Sequence, residues 1–153
     1  MNAVYRADCL LLLERMQSDE VGLVYVDAPW STGPAQEWGL PVPTESGSLQ
    51  EYLDFLSRVL QQIERVLAPS GNLFLHSEPS LSGHTRLILD QVFGRENFRV
   101  DIIWPRGRTH GTVGLGEEHD TIFLYSKSDS FTYNREVRPW PKDEVRSRYP
   151  SRR

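Results

Sequence analysis

The apolar stripe between residues 49 and 67 constrains the fold of this chain most. Leu49, Tyr52, Leu53, Leu56, Val59, Leu60, Ile63, Val66 and Leu67 recur at the i, i+3, i+4, i+7 spacing of one helix face. Ser48 and Glu51 make a capping-box pattern at its start. "APSG" at 68–71 is expected to end it. Short runs of strand character flank it: "VGLVYVD" at 21–27 and "NLFLH" at 72–76. A helix between two short buried strands implies parallel pairing through a right-handed crossover. A second helix is expected from Ser82 to Phe93, with Gly94 capping its end. "FRVDIIW" (98–104) and "DTIFLYSK" (120–127) are two further strands. Only a Gly-rich, Arg-bearing loop, 105–118, separates them, so they should pair antiparallel. With a short helix at Asp8–Met16, the order after it is β-α-β-α-β-β, an α/β sheet with a hairpin edge.

Composition excludes several classes. The chain of 153 residues is 39% hydrophobic and 25% charged, an ordinary globular profile. No apolar run approaches the roughly 18 residues of a membrane span, and the N-terminus lacks the pattern of a secretory signal. The single cysteine, Cys9, excludes an internal disulfide and fits a cytoplasmic location. Within its apolar run Cys9 is expected to be a small buried hydrophobe. The net charge of −4 hides an asymmetry. Residues 135–153 hold seven Lys or Arg against three Asp or Glu, so a basic tail follows an acidic body.

The strand at 21–27 runs into "DAPW", residues 27–30. In α/β sheets ligands sit beyond the C-terminal ends of the parallel strands, where this turn lies. Asp27 offers two acceptor oxygens there. Pro29 has no N–H to engage the Ala28 carbonyl. A carboxylate beside a carbonyl suits an exocyclic amine, which offers two donors. Trp30 supplies a flat face for stacking on a base. A purine amine is a poor nucleophile because its lone pair is delocalised. Two acceptors on its hydrogens return electron density to it and favour attack on a methyl sulfonium.

These residues resemble the D-P-P-[YW] motif of the amino-group methyltransferases that act on DNA adenine or cytosine. "YRADCLLLLERMQSDEVGLVYVDAPW" is similar to that family's G-D-x-L-x-x-L motif followed by its catalytic strand. "FLSRVLQQIERVLAPSGNLFLHSE" resembles its next helix and strand, and the region from "LILDQVFGRENFRVDIIWPR" to "HDTIFLYSKSDSFTYN" resembles type III restriction–modification adenine methyltransferases. Ala28 stands where the family usually has proline, and "RAD" where it has "G-D". The resemblance implies part of a Rossmann-like methyltransferase sheet and S-adenosyl-L-methionine as cofactor. It also implies double-stranded DNA as partner, with a restriction subunit or a second methyltransferase chain as a further one.

The same resemblance assigns roles. Asp27, Ala28, Pro29 and Trp30 form the catalytic turn, with Trp30 on the flipped base. Asp8, otherwise a helix N-cap, contacts the cofactor together with Asp27. Apart from the resemblance, the polar side chains of Arg106, Arg108 and His110 in the hairpin loop are expected to contact the DNA backbone. Aspartate at position 27, where cytosine enzymes more often carry serine, points to N6-adenine. The family's F-x-G-x-G motif has no counterpart in these residues; "GTVGLG" at 111–116 lies in the hairpin loop. The reading is therefore a catalytic half at 1–134 and a basic tail at 135–153 leading to a C-terminal part. Two alternatives stay open: an N4-cytosine or RNA-adenine enzyme, and a catalytically silent nucleic-acid-binding or partner subunit. His76, His84 and His119 with Asp120 do not have the spacing of a metal cluster.

Overall fold

The computed structural model describes residues 3–28, 49–106 and 118–135. Helix α1 (Cys9–Arg15) leads into strand β1 (Val21–Asp27), helix α2 (Leu49–Val66) and strand β2 (Leu67–Ser77). Helix α3 (Pro79–Phe93), a 3-10 turn (Arg95–Asn97) and strands β3 (Phe98–Pro105) and β4 (His119–Ser126) complete the described elements. Asp8 caps α1, its Oδ1 accepting from the backbone N–H groups of Leu10 at 2.8 Å and Leu11 at 3.2 Å. The stripe on α2 is the buried face: Tyr52, Leu56, Val59, Leu60, Ile63 and Val66 are all covered. Ser48, the serine of the expected capping box, lies outside the described residues.

Two boundaries differ from expectation. The chain passes from Val66 into β2 without a separate turn. Val21 pairs with Leu67, and the register resumes with Leu23 on Asn72, so residues 68–71 are absorbed as an irregularity in the strand. Turn-like composition here serves a bulge rather than a loop. Helix α3 begins three residues early, at Pro79, because proline at a first helical position has the right φ and lacks an N–H that would go unused. Its end is as expected: Gly94 holds φ 85°, which favours glycine.

The sheet order is β1-β2-β4-β3, with β1 and β2 parallel and β4 antiparallel to both neighbours. Strand β4 thus inserts between β2 and β3, which run in the same direction. Burial follows the order. Thr121, Ile122, Phe123, Tyr125 and Ser126 of β4 are buried, whereas six of the eight residues of β3 are exposed. Apolar content does not set this order, since β3 is at least as rich in apolar residues as β4; β4 takes the inner place and β3 the edge.

Right-handed crossovers that all advance the same way across a sheet put their helices on one face. Val24 and Val26 of β1 pair with Leu73 and Leu75 of β2, which pair with Tyr125 and Phe123 of β4. These side chains meet Leu10, Leu56, Leu60, Ile63, Leu89 and Phe93 of the three helices in a single core. The other face carries Leu23, Tyr25, Val100, Ile102 and Trp104, all exposed, and no element among the described residues covers it.

Candidate active site

Asp27 is the last residue of β1, at the C-terminal end of the parallel pair. The alternation of β1 puts it on the same face as Tyr25, the uncovered one. Its side chain is 64% exposed, and Ala28 behind it is buried. Pro29 and Trp30 lie outside the described residues, as do Arg108 and His110.

The parallel register places His76 of β2 directly beside Asp27. His76 Nδ1 lies 3.8 Å from Asp27 Oδ1 and 3.3 Å from the Tyr25 hydroxyl. On its other side, Nε2 lies 3.2 Å from Oδ2 of Asp120, an ion-pair contact rather than an aligned hydrogen bond. Asp120 is buried in β4, and its Oδ1 lies 2.5 Å from the Arg106 guanidinium. Arg106 also donates its backbone N–H to the Glu118 carbonyl at 2.7 Å. Four groups from three strands and the residue after β3 therefore line up as Asp27, His76, Asp120 and Arg106. Of these the sequence reading named Asp27 and Arg106. His76 and Asp120 were weighed only as metal ligands, and no metal-binding group occurs among the described residues. The signal that finds them is register: once "VGLVYVD" and "NLFLHS" are aligned in parallel from their strand ends, the aspartate and histidine fall side by side.

A cavity of about 450 Å³ runs along the outer edge of β1 between the sheet, α1 and α2. Val24, Val26, Phe55 and Ile63 form its apolar wall, and Asp8, Asp27 and Ala28 stand on its margin. The two acidic residues expected at the cofactor, Asp8 and Asp27, are thus brought to one cavity, although Asp8 also caps α1. Arg106 is at the other end of the row, turned onto Asp120. Cys9 corrects an expectation: it is exposed on the cavity margin rather than buried. It occupies the first turn of a helix whose buried face is carried by Leu10. Partial burial of its thiol, with the Asp8 carboxylate beside it, pushes the pKa up. Beside Glu78, just past the C-terminal end of β2, burial and then the Glu78 charge push the Tyr52 hydroxyl up to about 12, and it remains neutral.

Comparison with known proteins gives a consistent picture. Residues 21–152 match the family model N6_N4_Mtase, described as DNA methylase. The type II methyltransferase M.EcaI of Enterobacter cloacae is 26% identical over 97% of this chain and 34% of its own length. The Mod subunit of the type III restriction-modification enzyme EcoP15I of Escherichia coli is 21% identical, over 80% of this chain and 24% of its own. The chain therefore spans about a third or less of these relatives. Among solved structures, the PvuII DNA methyltransferase (cytosine-N4-specific) aligns with TM-score 0.60 and 14% identity over 97% of this chain and 64% of that one. An M1.HpyAVI–SAM complex aligns with TM-score 0.52 and 12% identity over 85% and 55%. At such identities the likeness shows a shared fold, the Rossmann-like methyltransferase sheet that the family resemblance implies.

Proposed function

Because the chain belongs to this family of DNA methylases, we propose that it forms the catalytic and target-base part of an adenine-specific methyltransferase. The methyl group goes to the N6 amine of an adenine flipped out of double-stranded DNA. One observation carries the reading: the strand-end carboxylate of Asp27 stands on the margin of an apolar cavity, backed by buried Ala28 and sharing that margin with Asp8. Two carboxylates beside an apolar wall suit a ligand with an ammonium group, a sulfonium and a flat base. S-adenosyl-L-methionine is such a ligand, and when bound it supplies an electrophilic methyl group.

The chain's own residues do the rest. Asp27 and the Ala28 carbonyl accept the two amine N–H groups and return electron density to the nitrogen. Held in line, the amine is a near-attack nucleophile. Pro29, which has no N–H, would fix the turn. Trp30 stacks on the extruded base, a contact worth roughly 1–3 kcal/mol. Asp8 holds the cationic end of the ligand. Arg108 and His110, with the basic tail from residue 135, lie against the DNA backbone; Arg106 anchors the start of that loop and adds its charge. Aspartate rather than serine at position 27 favours adenine over cytosine. A restriction subunit or a second methyltransferase chain is the macromolecular partner besides DNA, and the setting is the cytoplasm.

Asp27→Ala tests the reading. In the complete protein, methyl transfer to duplex DNA should fall by at least a hundredfold while duplex binding is retained, because a hydrogen bond to a charged acceptor worth roughly 1.5–3 kcal/mol is lost together with nucleophile activation. Nucleoside analysis of the wild-type product should give N6-methyladenine. Wild-type rates in the variant, or N4-methylcytosine as product, would overturn it.

A further inference from the structure

The row of groups behind Asp27 has a chemical use that the amine clamp alone does not explain. Asp27 and Asp120 are two carboxylates, Arg106 is one guanidinium, and His76 lies between them. With a neutral imidazole the row carries one net negative charge, so a further proton on His76 would balance it. The buried Asp120 carboxylate, held by Arg106, faces Nε2 and favours the tautomer with its proton there. That leaves Nδ1 to accept from the Tyr25 hydroxyl at 3.3 Å, with Asp27 Oδ1 3.8 Å away.

We propose that His76 is a positioning residue that acts through Asp27, receiving from it the proton that the methylated amine must lose. The inference rests on the methyltransferase reading above. Attack of the N6 lone pair forms the N–C bond and breaks the C–S bond, whose electron pair stays on sulfur. The nitrogen is then cationic. Asp27 takes one of its protons: the N–H bond breaks, its pair returns to nitrogen, and an O–H bond forms on the carboxylate. The proton passes on to His76 Nδ1, which regenerates the Asp27 carboxylate and leaves an imidazolium between two carboxylates. Closing the 3.8 Å gap to hydrogen-bond distance takes about an ångström of movement by the exposed Asp27 side chain. The exposed Tyr25 hydroxyl, 3.3 Å from Nδ1, then offers the proton a way to solvent.

The orientation by Asp120 can be read without any reaction. Nitrogen-15 NMR of the histidine-labelled chain, in mildly alkaline buffer, should show His76 as the Nε2–H tautomer. Asp120→Asn should shift the tautomer balance. A wild-type Nδ1–H tautomer, or a balance that Asp120→Asn leaves unmoved, would overturn the proposal even if the enzyme is active. The relay is read in single turnover of the complete protein with adenine-containing duplex. His76→Gln keeps hydrogen bonding but cannot hold the proton. It should slow transfer by about tenfold to a hundredfold, less than the loss of a base in direct contact, with duplex affinity unchanged. An unaltered rate would overturn the relay. A wild-type protein that methylates no DNA would count against the methyltransferase reading, and the tautomer would still decide the coupling of His76 to Asp120.

Discussion

Burial by itself would push the Asp90 carboxyl pKa up, yet the hydrogen bonds from Tyr125 and Arg86, with the Arg86 charge, hold it below the usual carboxylate range. The Tyr125 hydroxyl donates to Asp90 Oδ1 at 2.5 Å and, through burial and that carboxylate, is pushed above its ordinary value. A carboxylate depressed in the folded state contributes stability above its unfolded pKa of about 3.9 and loses it as pH falls through the lower folded value. Urea unfolding of the wild type should therefore weaken below about pH 4, and Tyr125→Phe should flatten part of that dependence. The same variant should cost about 1.5–3 kcal/mol at neutral pH, since it removes a hydrogen bond to a charged group. Trp30 carries the other residue-scale prediction. Trp30→Phe keeps a π-face and should keep most activity, whereas Trp30→Ala should lose it, read by methyl transfer and by a fluorescent base analogue at the target position. Equal activity of the two would assign the indole to packing. The place of Asp27 at the end of β1 is legible from four letters, and a carboxylate ending an apolar strand needs a reason. His76 is not legible in this way, because its role depends on which residue of another strand stands next to it.

At the scale of elements, periodicity located both long helices and all four strands, and it missed where two of them begin. The α2–β2 junction is the instructive case. Pro69, Ser70 and Gly71 have turn composition, but Lys127 donates its backbone N–H to the Gly71 carbonyl and Thr132 to that of Ser70, so the segment is held against the chain beyond β4. A Cβ on Gly71 would lie 2.9 Å from the carbonyl oxygens of Ala68 and Val21. Backbone cannot yield there as a side chain can. Gly71→Ala should cost about 1–3 kcal/mol, as overpacking does, and loosen the Val21–Leu67 end of the β1–β2 pairing in hydrogen exchange. Unchanged stability would mean that this approach relaxes freely. The position of β4 between β2 and β3 was beyond local reading, because strand order depends on all strands together.

The described residues form a sheet with helices on one side. Its other face presents Leu23, Tyr25, Val100, Ile102 and Trp104, with Tyr25 and Trp104 55% and 56% exposed, and β1 has no neighbour among the described residues on its outer edge. An apolar face beside an unpaired β-branched edge invites association. These 153 residues alone should self-associate in sedimentation and bind S-adenosyl-L-methionine weakly in calorimetry, since no F-x-G-x-G turn is present to close the cavity. A monodisperse monomer with micromolar affinity would contradict this. What the sequence determined by itself is local: which segments are helix or strand, and that a carboxylate ends β1. These follow from periodicity and from residue chemistry within a few positions. Only the tertiary structure decided that His76 and Asp120 stand behind Asp27, that Arg106 faces inward, and that Asp8 and Asp27 share one cavity. Those relations join residues up to about a hundred positions apart, and strand register and packing, which no local pattern encodes, bring them together.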